Sequence, residues 1–369
     1  MRTLTARPAL RWLVPLALLA VLLGSVLLGT RASADPALPK RTEQQLLVDL
    51  QTAQVDGLSG TIVQNADLGI PAIPGGEDSP GGKLTSLLAG DHTMRVWFSG
   101  PDKVRFAQVD QQYAESDVIV NGRQVWTYDS QGRTATHRTL SADEPAGATA
   151  KVPADAPKTP QEAAKLLLDK LGTDTQIGTD RAVKVAGRQA YELVLTPQAD
   201  QSASLIKQVR VAIDGTTHIP LRVQVLGTGK KPAFEVGFAD GLTIGRPADR
   251  VFTWNPPKNT KVTEEKSGSV KAPAAKAPTK AQRKALEQQK AQADQNTKVV
   301  GHGWTAVVIT KVPADAATSD PTVKAFLDQL KVPGGHELDG TILTAILTDD
   351  GRLAVGAVGP DLVRQALAR

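Results

Sequence analysis

The feature that most constrains the fold is an alternation of apolar and polar residues with a period of two. Met94, Val96 and Phe98 alternate with Arg95 and Trp97, and the same period recurs in later segments. Successive side chains of a β-strand point to opposite faces of the sheet, so this period indicates strands with one buried face. The chain is therefore predicted to be mainly antiparallel β.

The predicted strands are short and are separated by turn residues at hairpin spacing. Asn121-Gly122 is a strong signal, because this pair is typical of a type I′ turn. The predicted strands are 58–64, 93–98, 104–106, 118–120, 125–128, 134–140, 181–185, 191–196, 205–213, 221–225, 234–238 and 251–254. A sheet with an apolar face needs that face covered, so we predict an α+β fold: an open, half-closed β-barrel covered by helices.

Two helices are predicted beside these strands. The first, Thr42–Ala53, begins with a capping box formed by Thr42 and Gln45, and the second is Pro160–Leu171. Their apolar stripes include Leu46, Leu50, Leu166 and Leu167. A Gly- and Pro-rich segment, residues 67–91, is predicted to be a long loop.

The N-terminus has the composition of an export signal. Three arginines within the first eleven residues precede an uncharged stretch, Trp12–Thr30, and an Ala-Ser-Ala sequence ends at Ala34. This order predicts a signal peptide at residues 1–34 that is cleaved after Ala34. The uncharged stretch is close to the minimum length for crossing a bilayer, about 17 residues, so a retained membrane anchor is the alternative. Either way, the protein is predicted to work outside the cytosol, in the cell envelope.

Composition divides the rest of the chain into three parts. Residues 35–257 contain the strand segments and are predicted to form the β-barrel domain. Residues 258–298 are rich in Ala, Lys, Pro and Gln, so we predict a basic low-complexity linker. Residues 299–369 are predicted to form a small β-α-β-β-α module, large enough to fold alone. Its predicted elements are strands 303–312, 341–348 and 352–358 and helices 321–330 and 360–368.

The formal net charge of +5 does not indicate a basic binding surface on the folded domains. Residues 256–298 carry ten Lys/Arg and four Asp/Glu, and the leader carries four arginines. The remaining residues are therefore net negative. Because the positive charge belongs to a linker and a leader, it gives no support for nucleic-acid binding.

Residue types that could carry chemistry are scattered. The sequence contains no cysteine, which excludes disulfides, thiol nucleophiles and cysteine metal sites. The five histidines are far apart and form no H-E-x-x-H motif, and no G-x-S-x-G motif occurs. Asp349-Asp350 precedes a glycine, which favours a hairpin turn over a catalytic carboxylate pair. We therefore predict a protein that is not an enzyme and that has no metal ion or cofactor.

Several segments resemble a known family. VWFSGPDKVRF at 96–106 and VIVNGRQVWTYD at 118–129 resemble the periplasmic lipoprotein carriers (LolA) and their relatives among the sigma-E regulatory proteins (RseB/MucB). In that family a strand ends at a proline, and a later strand reads V-x-(D/N)-G-x-x-(L/V)-W-x-Y. FTWNPP at 252–257 resembles the last motif of the family, and residues 185–197 resemble the RseB members of the family. The resemblance covers about Thr42 to Val262.

This resemblance implies an open β-barrel whose apolar cavity holds acyl chains and is closed by helices. By strand alternation, the residues that face such a cavity are Met94, Val96, Phe98, Val104, Phe106, Val118, Val120, Leu193, Val211, Val223 and Val236. The implied lid consists of Leu46, Leu50, Leu166 and Leu167. Arg95 and Trp97 would lie on the opposite face, and a slip of one residue in the strand register would reverse this assignment.

The function implied by the resemblance is carrier-like binding of a lipid or of lipoprotein acyl chains. The alternative is an RseB-like regulator that binds a membrane anti-sigma factor and senses envelope stress, because a second domain on a linker suits tethered binding. One departure concerns the carrier reading: the family commonly has a basic residue before the motif proline, and here Gly100 stands there. A third class, an enzyme, would need a buried polar cluster that the sequence does not reveal.

Overall fold

The computed structural model of the protein describes residues 38–71, 90–109, 115–141, 172–265, 297–312 and 321–369. These residues form a 13-stranded sheet and a 6-stranded sheet. Within them, no helix has the length and apolar character needed to cross a membrane. The predicted signal peptide, residues 1–34, lies outside the described residues.

The described elements, numbered in chain order, belong to two units. The strands of the first sheet are β1 Gly57–Ala66, β2 Gly90–Ser99, β3 Lys103–Val109, β4 Glu115–Asn121, β5 Gln124–Asp129, β6 Thr134–Thr139, β7 Thr175–Val185, β8 Arg188–Pro197, β9 Gln208–Asp214, β10 Pro220–Leu226, β11 Pro232–Phe238, β12 Thr243–Ile244 and β13 Lys261–Glu265. Those of the second sheet are β14 Thr297–Val300, β15 Val307–Lys311, β16 Lys331–Val332, β17 Gly335–Asp339, β18 Thr344–Thr348 and β19 Arg352–Gly356. The helices are α1 Glu43–Thr52, α2 Pro321–Gln329 and α3 Pro360–Leu367, with 3₁₀ turns at Ala199–Gln201, Asp249–Val251 and Gly303–Thr305.

The first sheet is open and almost entirely antiparallel. Its strands follow the order β13-β6-β5-β4-β3-β2-β1-β11-β10-β9-β8-β7, and β12 pairs with the start of β1. Only the edge pair β13–β6 is parallel among the described strands. The two edge strands, β13 and β7, do not pair with each other within the described residues, so the sheet does not close into a barrel. The predicted fold, an open and mainly antiparallel sheet, is confirmed.

The two faces of this sheet are covered in different places. We call the face that carries Val96 and Val236 the front face, and the face that carries Trp97 and Glu192 the back face. Helix α1 lies on the front face of the β8–β11 half, where its buried leucines join the main core. The hydroxyl of Tyr191, on β8, donates to a backbone carbonyl directly before this helix, 2.8 Å away.

On the other half of the sheet, the chain covers the back face instead. Phe252 is fully buried there, and Trp254 packs against Trp126 and Tyr128 of β5 with ring centroids 5.2 and 5.3 Å apart. The predicted strand 251–254 is wrong. These aromatic side chains insert into the back face, and the backbone before them is held by local 3₁₀ bonds rather than by a neighbouring strand.

A strand lies within the region predicted to be a linker. The predicted boundary placed the linker at 258–298, but Lys261–Glu265 forms β13 and pairs with β6. The low apolar content of this segment hid it, because an edge strand needs partners for its backbone groups and little burial of its side chains. A side-chain contact reinforces the pairing, since Glu264 lies 2.9 Å from His137 of β6.

The β4–β5 hairpin is present, but its turn differs from the predicted type I′. Asn121 pairs with Gln124, so the two central residues are Gly122 and Arg123. Only Gly122 has a positive φ, +60°, among these two. A type I′ turn needs a positive φ at both central residues, so the φ pattern is that of type II′.

The second sheet has the order β14-β15-β19-β18-β17-β16, and α3 buries Val363 and Ala366 against it. The predicted β-α-β-β-α order therefore lacked three strands: β14, β16 and β17. The predicted strand 303–312 begins with a 3₁₀ turn and becomes a strand only at Val307. The missed strands are two to five residues long and lack apolar alternation, so the periodicity gave no signal for them.

The second unit packs against the first rather than standing apart from it. The indole of Trp304 packs against the main core, and its Nε1 donates to Thr175 Oγ1 at 2.8 Å. Leu68, at the start of the predicted loop, is buried, and its carbonyl accepts a hydrogen bond from Thr341 N at 2.9 Å. These contacts join the second unit to β7 and to the segment that follows β1.

Candidate apolar binding face

Strand pairing places all the predicted cavity residues on the front face of the first sheet. Two cross-strand rows run over β2, β3 and β4: Phe98–Val104–Val120 and Val96–Phe106–Val118. A third row runs over β8 to β11: Leu193–Val211–Val223–Val236. Met94 lies on the same face, two residues before Val96. Arg95 and Trp97 lie on the back face, as predicted. The ligand-binding role of the front-face residues stays a prediction.

Burial separates these residues into two groups. Leu193, Val211, Val223 and Val236 are at most 2% exposed and belong to the core, which α1 joins with its leucines and the second unit with Trp304, Ile342 and Ala357. Val96, 5% exposed, marks the boundary between the groups. On the far side, Phe106 is 39% exposed and Val118 is 42% exposed. We call the second group the open front face; its members are Met94, Phe98, Val104, Phe106, Val118 and Val120.

The predicted lid residues are divided in the same way. Leu46 is fully buried and Leu50 is partly buried in α1, so both help to close the β8–β11 half. Leu166 and Leu167, with the predicted helix Pro160–Leu171, lie outside the described residues. The prediction left out Val125 of β5, which pairs with Val120 and therefore extends the open front face. The sequence placed it in a strand and could have identified it from the register of the hairpin.

An ion pair lies behind the open front face. Arg105 of β3 places Nη2 2.6 Å from Asp117 Oδ2 of β4, and its guanidinium lies over the ring of Trp97. Burial raises the pKa of the Asp117 carboxyl, while the charge and hydrogen bond of Arg105 act to lower it. Arg105 also donates to the carbonyl of Val251 at 3.3 Å. The pair thus connects β3, β4 and the aromatic segment over the back face, which stiffens the support of the apolar surface.

Residues with metal-ligand chemistry meet where the two units join. Asp174, Asp200 and His302 bring one ligand atom each to within 4.8 Å of one another. His302 Nδ1 lies 3.1 Å from Asp174 Oδ1, and the amide of buried Gln201 lies beside both Asp200 and His302. The sequence gave no signal for this group, because more than 100 residues separate His302 from its partners. Asp200 and His302 are exposed, and the group serves as a polar contact between the units.

The remaining carboxylates with shifted pKa values in the described chain are engaged in ion pairs. Burial of Asp214 acts to raise its pKa, but hydrogen bonds from Arg188 and Thr217 and the Arg188 charge outweigh it and hold the pKa below its ordinary value. Hydrogen bonds lower the pKa of two exposed carboxyls, Asp328 and Asp350. These groups lie on separate surfaces of the molecule and do not converge on a shared cleft.

Fold and site together define a class of protein: an open, mainly antiparallel sheet whose apolar face the described residues cover only in part. No protein-family model matches the sequence, and no curated protein matches it. Similar solved structures do exist. The MucA/MucB complex of Pseudomonas aeruginosa is 14% identical, with a TM-score of 0.41 over 88% of this chain and 96% of that chain.

Two further similar structures cover a smaller part of this chain. A LolA superfamily protein from Nitrosomonas europaea is 11% identical, with a TM-score of 0.21 over 58% of this chain and 99% of that chain. The Mycobacterium tuberculosis lipoprotein LppX is 10% identical, with a TM-score of 0.25 over 58% and 98%. MucB and the LolA superfamily are the groups that the sequence motifs resemble. Identities and TM-scores this low give no ground for transferring a ligand or a partner from any of them.

Proposed function

We propose that this protein is exported to the cell envelope and binds the acyl chains of a lipid or lipoprotein on the open front face. The observation that carries the proposal is the difference between the two halves of one apolar face. The β8–β11 half is sealed by α1, whereas Phe106 and Val118 on the other half remain more than a third exposed. Contiguous apolar surface of this kind is typical of a binding site.

The size of the open front face suits a hydrocarbon chain. Strands lie about 4.8 Å apart, so the rows from β2 to β5 span roughly 14 Å. Burying about ten methylene groups there would contribute ~8 kcal/mol before the cost of association is subtracted. Aliphatic and aromatic side chains line the rows, and no charged residue stands in them. The cost of association reduces this figure, so the net affinity is moderate. A moderate affinity suits a carrier that takes up its ligand and releases it.

The proposal is tested with the double variant Phe106→Gln/Val118→Gln. Both side chains are exposed, so the fold should tolerate the change, while the bound chain loses two apolar contacts. We expect a fluorescent fatty acid to bind the variant at least ten-fold more weakly than the unaltered protein. Native mass spectrometry should show co-purified lipid on the unaltered protein and less on the variant.

The matched control is Val262→Gln. Val262 is 39% exposed and lies on the same sheet, but its strand pairing places it on the back face. The Val262→Gln variant should bind the fatty acid with the same affinity as the unaltered protein. The proposal fails if the unaltered protein takes up no fatty acid, or if the control loses as much affinity as the double variant.

The alternative from the sequence, a regulator that binds a membrane anti-sigma factor, depends on the second unit. The contacts of Trp304 and Leu68 fix this unit against the first, so a partner would meet one continuous surface rather than a tethered module. Capture from solubilised membranes separates the two functions. Recovery of one specific membrane protein, equally by the unaltered chain and by Phe106→Gln/Val118→Gln, would favour the regulator.

A further inference from the structure

A cleft in the second unit combines positive charge with an apolar floor. It lies at the C-terminal end of α3, has a volume of about 340 Å³, and borders β14 and β15. Its charged lining consists of Lys298, Lys311, Arg352 and Arg369, and Ile309 and Leu367 form apolar parts of its wall. Among the described residues, no acidic side chain lines it. The cleft shares no residue with the open front face.

The strand register brings like charges together in this cleft. Lys311 of β15 is directly opposite Arg352 of β19, and Lys298 of β14 is opposite Ile309, the residue two before Lys311. Like charges directly opposite each other on a sheet destabilise it, so this arrangement favours an anion that neutralises them. Of these four cations, Arg352 alone forms an ion pair with a described residue, Asp350, at 2.8 Å.

The other cations of the cleft are available to a ligand. The side chains of Lys298, Lys311 and Arg369 form no ion pair with any residue in the described ranges. The sequence before Lys298 is also basic in composition, since residues 266–297 carry seven Lys/Arg and two Asp/Glu. Basic residues close to an anionic membrane surface are attracted to it.

We propose that this cleft binds the phosphate headgroup of an anionic phospholipid. Lysine ammonium groups bind phosphate as point charges, and the apolar wall of Ile309 and Leu367 suits the first methylene groups of the acyl chains. A free phosphate would gain nothing from that wall, which favours a lipid over an inorganic anion. Binding here would hold the second unit at a membrane surface, whatever the open front face binds.

The test uses the full chain and the double charge reversal Lys298→Glu/Lys311→Glu. The probes in calorimetry are a short-chain, soluble phosphatidylglycerol, the matching phosphatidylcholine, and inorganic phosphate. Reversing both lysine charges predicts about a 30-fold weaker affinity for the phosphatidylglycerol, which corresponds to about 2 kcal/mol. The control is Lys230→Glu/Lys231→Glu, which makes the same change of charge at two exposed lysines of the first unit.

The proposal stands if phosphatidylglycerol binds, phosphatidylcholine binds much more weakly, and only the cleft variant loses the binding. It is overturned if the unaltered chain does not bind phosphatidylglycerol, or if both charge reversals weaken binding equally, since that shows a diffuse charge effect. Equal affinity for inorganic phosphate also overturns it, because the apolar wall would then have no part. Binding of the probe through its acyl chains on the open front face is separated by Phe106→Gln/Val118→Gln, which should leave unchanged the part of the affinity that Lys298→Glu/Lys311→Glu removes.

Discussion

Single residues of this sheet are held by ion pairs whose effect depends on burial. Asp214, at the end of β9, is 1% exposed and accepts two hydrogen bonds from Arg188, at 2.6 and 2.9 Å. It also accepts from the backbone and hydroxyl of Thr217. A buried carboxylate with this many donors is stabilised in its charged form. The charge of Asp214 therefore contributes to the stability of the folded state.

We expect Asp214→Asn to destabilise the protein by about 2 kcal/mol at pH 7, because Arg188 loses its partner. The pKa of Asp214 is lowered in the folded state, so the stabilisation is present above its ordinary value of 3.8. It is lost as the pH falls through the lower folded pKa. The difference in unfolding free energy between the unaltered protein and the variant should therefore shrink below about pH 3.8.

Urea unfolding at pH 7 and pH 3 measures this difference. Asp328→Asn is the matched control, because Asp328 also has a lowered pKa but sits on an exposed helix surface beside Lys324. It should change the stability little at either pH. A difference between Asp214→Asn and the unaltered protein that stays constant down to pH 3 would contradict the role given to Asp214.

At the scale of elements, the first helix shows how local sequence determines structure. The capping box predicted from Thr42 and Gln45 is present, with both reciprocal hydrogen bonds, at 3.0 and 3.2 Å. It satisfies backbone donors that the first turn leaves open. The helix end is thereby fixed where Leu46 and Leu47 enter the core.

Thr42→Ala should therefore lower the unfolding free energy by about 1 kcal/mol, the usual cost of losing an N-cap oxygen. Thr42→Ser keeps that oxygen and should remain within a few tenths of a kcal/mol of the unaltered protein. Chemical denaturation followed by circular dichroism measures both variants. Equal destabilisation by serine and alanine would show that the threonine methyl group, rather than the cap, matters.

The strands show where sequence reasoning succeeds and where it stops. Alternation identified the front-face residues and the opposite position of Trp97. In a strand with one buried face, the alternation of apolar and polar residues specifies which side chains share a face. It could not find β13, whose side chains are almost all exposed, nor reject a strand at 251–254, where Phe252 and Trp254 insert into the back face. Both errors concern segments whose conformation depends on a neighbour distant in sequence.

The sequence also predicted the candidate site in part. The residues of the site and the face that they share follow from the alternation. Which of them remain open does not, because that depends on where α1 lies: Leu193 and Phe106 have the same pattern in sequence but differ from 1% to 39% in exposure. Tertiary packing, rather than local sequence, makes this distinction.

At the scale of the whole molecule, the chain covers one sheet from opposite sides. Helix α1 seals the front face of the β8–β11 half, and the aromatic segment around Phe252 seals the back face of the other half. Each half therefore has one buried face, which a stable sheet requires. Among the described residues, the apolar surface left partly exposed is the front face of β2 to β5, where we propose that the ligand binds.

The junction of the two units supplies the last prediction. Trp304 is the largest side chain that the second unit contributes to the main core, and its Nε1 bonds Thr175 at 2.8 Å. Trp304→Ala removes both the packing and the bond, so we expect the coupling between the units to fall by about 2–3 kcal/mol. Trp304→Phe keeps an aromatic ring in place, so the coupling between the units should fall by only about 1 kcal/mol.

Fluorescence distinguishes these outcomes, because Trp97, Trp126 and Trp254 remain in both variants and report on the first unit. Circular dichroism reports on both sheets. In Trp304→Phe the two denaturation curves should coincide, as expected for one cooperative molecule. In Trp304→Ala the circular dichroism transition should begin at a lower denaturant concentration than the fluorescence transition, because the smaller second unit unfolds first. Coincident curves in both variants would mean that backbone contacts such as that between Leu68 and Thr341 couple the units without the indole.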